Sequence, residues 1–152
     1  MAVPVLVMVG SESDREAMQG CVKFLEKFGL EHDFIVASAH RAPERVREIA
    51  TNARARGYRV AICGAGMAAA LPGVVASMTT LPVIGVPLAG SHLTGVDALH
   101  AIVQMPPGVP VATVAIGSAG GKNAAILAAQ MIAIHDPEME RKLDDYKSEL
   151  AG

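Results

Sequence analysis

The chain has 152 residues, of which 51% are hydrophobic and 3% aromatic, with no Trp. Its net charge is −2 with acids and bases interleaved, so it carries no basic stripe for nucleic acid. That length suits a single domain, residues 1–152, with a full aliphatic core, and the small polar fraction points to outer surface buried in an oligomer.

Strands and helices alternate along the chain. Val3 to Val9 is a continuous apolar run, as expected of a strand buried on both faces. Glu12 to Phe28 reads as a helix, with Met18, Val22, Leu25 and Phe28 at helical spacing and Gly29 as its stop. Phe34 to Ala37 is a second strand, and Pro43 to Arg56 a second helix with Pro early and Gly57 just past its end. Arg59 to Cys63 is a strand, Ala68 to Met78 a helix, Pro82 to Pro87 a strand and Gly95 to Val103 a short helix. Val109 to Ile116 is the fifth strand and Gly120 to Ile134 a long alanine-rich helix. Pro137 to Leu150 is a charged final helix after the His135-Asp136-Pro137 break. Five strands separated by helices predict an α/β fold, a parallel sheet covered on both faces.

Val60 to Met78 carries no charge over 19 residues, long enough for a membrane span. Gly64, Gly66, Pro72 and Gly73 interrupt it, and no span is expected. Cys21 and Cys63 have neither metal-ligand spacing nor a pairing signature, so reduced thiols and a cytoplasmic location are expected. Met1 to Val5 lacks the basic start and cleavage site of a signal peptide.

Open α/β sheets bind ligands at the carboxyl ends of their strands. Ser38-Ala39-His40-Arg41 falls at such an end. It brings together an imidazole, whose proton moves near neutral pH, and a forked cation suited to phosphate or carboxylate. An ordinary capped turn with a surface His is the competing reading. Gly10-Ser11-Glu12-Ser13-Asp14 links the first strand to the first helix. Ser11 and Ser13 are candidate helix caps, and the loop's N–H groups suit a phosphate or ribose. It is not a Walker loop, since no Lys follows in register. Gly64-Ala65-Gly66-Met67-Ala68-Ala69 has the outline of a dinucleotide fingerprint. It follows the wrong strand and lacks the acid that a nicotinamide site needs, so small residues here are expected to let a flat ligand lie on bare backbone. His92, after the fourth strand, is expected to be a solvated loop residue. Val103 to Pro110 reads as a rigid connection. No H-E-x-x-H, Cys/His cluster or serine nucleophile elbow is present.

G-S-E-S-D, S-A-H-R-A-P, the Gly64–Gly73 segment, L-P-V-I-G-V-P, G-V-D-A-L, V-Q-M-P-P-G-V-P-V-A-T-V-A-I-G and K-N-A-A-I-L-A-A-Q occur here in one order. In that order they resemble the PurE family of purine biosynthesis across nearly the whole chain. The resemblance implies a flavodoxin-like three-layer αβα fold and a homo-octamer with sites at subunit junctions. The final helix, about residues 137–150, would then pack on a neighbouring subunit. It also implies a carboxyl transfer on N(5)-carboxyaminoimidazole ribonucleotide that needs no metal and no cofactor. His40 would be the general acid/base. Ser11, Ser13, Asp14, Ser38 and Arg41 would hold the ribose phosphate, and Gly64, Ala65 and Gly66 would line the ring site. Direct carboxylation with CO2, the second class of the family, is the alternative, and a non-catalytic nucleotide- or flavin-binding module is a third. One departure stands out. Where the family reads G-A-G-G-A-A-H-L-P-G, Met67 replaces a Gly and Ala70 replaces the His. The altered segment is also similar to the carboxylase domain that builds the nickel-pincer cofactor. A dry pocket for free CO2, or partial replacement of the missing imidazole by His92, would follow from that change.

Overall fold

The apolar runs become the centre of a five-stranded parallel sheet in the computed structural model, which describes residues 3–152. Met1 and Ala2, the start of the segment read for a signal peptide, lie outside the described residues. The strands are β1 (Val5–Val9), β2 (His32–Val36), β3 (Val60–Gly66), β4 (Val83–Leu88) and β5 (Ala112–Thr113). Their order is β2-β1-β3-β4-β5, the flavodoxin-like order, with its switch point between β1 and β3. Every residue of β1 and β4 is buried, because helices cover both faces and no position along them meets water.

Two cores flank the sheet, and strand alternation divides the side chains between them. Val5, Val7 and Val9 face one core, built with α2 (Gln19–Lys27), α6 (Ser118–Ala133) and α7 (Pro137–Ala151). Leu6 and Met8 face the other, built with α3 (Pro43–Asn52), α4 (Leu71–Met78) and α5 (Val96–Val103). Close packing is visible at single glycines. A Cβ on Gly85 would clash with Ile102 Cγ2, and one on Gly120 with the Ala115 carbonyl oxygen.

The predicted Glu12–Phe28 helix is two helices. A single turn, α1 (Asp14–Ala17), ends at Met18, where φ −95° and ψ 9° break the spiral before α2. The cause is tertiary. Met18 is fully buried, and its Sδ would sit 2.8 Å from a Cβ on Gly64, so the absent side chain of β3 makes its room. The predicted fifth strand shrinks to two residues. Pro110 has no N–H for a ladder, and after the β-pairing Val114 N–H donates to Gly85 O and Gly117 N–H to Pro87 O as the chain turns away.

Val60 to Met78 becomes β3, a tight turn and α4, and no described helix is long and apolar enough to cross a membrane. In α7, Asp136 caps by accepting from the N–H groups of Glu138 and Met139, and Met139 is buried. Tyr146 sets its ring edge-on to Phe24 and Phe28, with centroids 6.0 and 5.5 Å away. One face of α7 is therefore packed on its own chain.

Candidate active site

The loops after β1, β2, β3 and β4 converge on a cavity of about 650 Å³ at the carboxyl end of the sheet. The connections leaving β1 and β3 run to opposite faces of the sheet there, to α2 and to α4, so the crevice lies at the switch point where such folds bind ligands.

One wall is polar. Ser11, Ser13 and Asp14 come from the β1–α1 loop, and Ser38, His40 and Arg41 from the turn after β2. Ser13 precedes α1 but makes no side-chain cap, so neither serine caps as expected. The two hydroxyls instead hydrogen-bond to one another at 3.0 Å. The helix is one turn long, and its first N–H bonds close locally, with Asp14 N–H donating to Ser11 O. Ser38 Oγ accepts from the Arg41 backbone N–H at 3.1 Å, which closes the S-A-H-R turn and leaves the Ser38 hydrogen for a ligand. The Arg41 guanidinium donates to Gly10 O, just past the end of β1, at 3.3 Å. Its contacts are to neutral oxygens, so the cation is held in place without being neutralised by them. Arg45, one turn further on, donates to Val36 O at 2.8 Å and ties α3 to β2.

Asp14 is half-buried. Burial pushes its carboxyl up from the ordinary value, against a backbone hydrogen bond with Ser11 and the Arg41 charge, which both pull it down.

The other wall is apolar and made of small residues. Ala65 and Gly66 end β3, and Ala68, Ala69 and Ala70 carry the chain to Leu71, the first residue of α4. Met67 breaks the pattern. It is 63% exposed and has φ +55°, a left-handed conformation that costs a side-chain-bearing residue roughly 1–2 kcal/mol.

Of the expected site residues, Ser11, Ser13, Asp14, Ser38, His40, Arg41, Ala65 and Gly66 share this cavity. Gly64 does not line it and lies beneath, against Met18. His92 is an exposed loop residue and does not line it either, while Ala70 does. Two features have no counterpart among the expected residues: Gly10, whose carbonyl holds Arg41, and a second depression next door. That depression, about 790 Å³, shares Ser13, Asp14 and Gly90 with the first and adds Lys23 and Lys122. These lysines stand far apart in sequence, on α2 and α6, and no local motif signals their meeting. Among the described residues, no three of His, Cys, Asp and Glu group closely enough to hold a metal ion. The donor set on the polar wall fits an oxyanion.

A family model described as AIR carboxylase matches residues 4–152. The N5-carboxyaminoimidazole ribonucleotide mutase of Thermotoga maritima is 53% identical over 144 residues, covering 95% of this chain and 83% of the relative. The protein of the same name from Aquifex aeolicus is 55% identical over 138 residues, covering 91% of this chain and 81% of its own. The crystal structure of Treponema denticola PurE aligns with a TM-score of 0.87 at 29% identity, covering 97% of this chain and 90% of that one.

Proposed function

The chain belongs to the AIR carboxylase family, and we propose that it works as its mutase relatives do, moving a carboxyl group from the exocyclic nitrogen of N5-carboxyaminoimidazole ribonucleotide to ring carbon 4. It is an isomerase of purine biosynthesis. Direct carboxylation is not favoured, because these relatives are named mutases.

The observation that carries the residue roles is the meeting of a polar wall and a small apolar wall at His40. We assign the phosphate to Ser11, Ser13, Ser38 and Arg41, where hydroxyl and guanidinium donors converge, and a ribose hydroxyl to Asp14, an acceptor when ionised. Phosphate binding away from the reacting ring fixes its orientation and lets remote binding energy lower the barrier. The ring lies on Ala65, Gly66 and the alanines that follow, where no side chain lifts it from the backbone. His40 gives its proton to the exocyclic nitrogen as the N–C bond breaks. That releases CO2 and leaves an electron-rich ring. Ring carbon 4 attacks the CO2, and His40 takes the ring proton, which returns it to its starting state. The apolar wall offers CO2 no water and no competing donor.

The test separates chemistry from binding. His40→Asn is expected to keep nucleotide affinity and lose turnover on the order of a hundredfold or more. Arg41→Ala is expected to lose roughly 1.5–3 kcal/mol of nucleotide binding and little binding of the dephosphorylated nucleoside. Near-wild-type turnover in the first, or equal losses for both ligands in the second, would overturn the assignment.

We further propose a cytoplasmic homo-octamer, with α7 helping to bury one subunit against the next. Exposed Leu93, Val96 and Val103 around α5, and Leu150 on α7, support burial between copies. Native mass spectrometry is expected to show eight copies of the 15.7 kDa chain, and a monomer would refute it.

A further inference from the structure

Met67 combines two costs. Its backbone sits at φ +55°, where glycine is at home, and its side chain is 63% exposed to water. Strain at a ligand-lined loop persists where it serves the site. Ala65, Gly66, Ala68, Ala69 and Ala70 present only methyls and hydrogens to the cavity, and Leu71 is buried at its base. Met67 is thus the long, exposed apolar side chain on that wall. Methionine has three rotatable bonds and a polarizable thioether, so it can fold over a ligand of irregular shape.

We propose that Met67 is the apolar cover of the reacting end of the cavity, retaining released CO2 until ring carbon 4 captures it. The inference rests on the mutase reading. CO2 has no proton to donate and accepts hydrogen bonds weakly, so exclusion of water and close apolar contact are what hold it. In the productive path the N–C bond breaks, its electron pair stays on nitrogen and takes the His40 proton. Ring carbon 4 then bonds to CO2 and its proton returns to His40. If CO2 escapes first, the nitrogen is already protonated, and decarboxylated aminoimidazole ribonucleotide leaves as a complete molecule. The fraction of turnovers ending that way measures the cover. With the side chain folded inward over an occupied site, its exposure ends, which offsets the backbone cost.

The experiment uses the full-length wild type with Met67→Gly, Met67→Ala and Met67→Leu. Each is given unlabelled N5-carboxyaminoimidazole ribonucleotide in buffer equilibrated with 13C-labelled CO2 and bicarbonate. Initial-rate mass spectrometry reads label in the ring-carboxylated product and the yield of decarboxylated nucleotide, after subtraction of the enzyme-free reaction. Glycine accepts φ +55° without strain, so its effect reads the lost side chain, while alanine retains the strained backbone. Both are expected to raise the labelled fraction about fivefold or more, as expected of a site opened to water, with leucine within about twofold of wild type. A labelled fraction in the Gly and Ala variants within twofold of wild type overturns the proposal. The proposal is equally overturned if only the assembled mass changes, which would make Met67 a contact between copies. A wild type that does not convert this substrate at all defeats the mutase reading, and is told apart by failing before any variant is compared.

Discussion

Asp14 shows what a single site residue costs the fold. Burial raises its carboxyl above the ordinary value of 3.8, and Ser11 and Arg41 recover only part of the loss. The folded chain therefore holds this proton more tightly than the unfolded chain. Below pH 3.8 both states are protonated and the cost is absent. It grows as the pH rises from there through the raised folded value, and it is complete at neutral pH. Asp14→Asn is expected to melt higher than wild type at pH 7, with the difference fading on acidification to below pH 3.8, while its nucleotide affinity falls. Thermal melts across that range, paired with a binding titration, check both halves. A lower melting temperature for the Asn variant at pH 7 would mean that the carboxylate's hydrogen bond and the nearby Arg41 charge outweigh its burial.

At the scale of elements, what is legible in the sequence is whatever local chemistry decides. Continuous apolar runs identify β1 and β4, because a strand covered on both faces needs no polar position. Ser38 to Arg41 announces a strand-end turn, and Ser38 Oγ closes it through the Arg41 N–H. The errors arise where a distant residue decides. Met18 has helical spacing with Leu25 and still breaks the helix, because its side chain fills the room left by Gly64 on β3. Ser13 has a cap's position, and its hydroxyl pairs with Ser11 instead. Gly64, Ala65 and Gly66 look in the sequence like one ring-binding unit. Gly64, paired with Val9 inside the sheet, faces the α2 layer and is spent on Met18, whereas Ala65 points to the opposite face and Gly66 is the last residue of β3, so both reach the cavity at the strand's end. Arg41 itself is legible, but its anchor on the Gly10 carbonyl is not, since that bond joins the loops after two neighbouring strands, 31 residues apart in sequence.

In the whole molecule, the two cores share one sheet, and each contains a single thiol. Cys21 lies on α2 in the core with α6 and α7, and Cys63 lies on β3 in the core with α3 and α4. Burial pushes both thiols up to about 12, so thiolate is scarce as well as inaccessible in the folded state. Alternating residues of β1 and β3 belong to opposite cores, and neither helical layer can leave without exposing one face of the strands on which the other layer packs. The layers are therefore expected to open together. With an aromatic disulfide reagent at pH 8, neither cysteine is expected to react in the native chain, and both are expected to label at the same denaturant midpoint as the loss of helical circular dichroism. Cys21→Ala and Cys63→Ala variants assign each signal to its layer. Reaction of Cys21 well before Cys63 would show that α2, α6 and α7 detach as a separate unit, and that the polar wall carried by the β1–α1 loop has a lower stability than the apolar wall opposite.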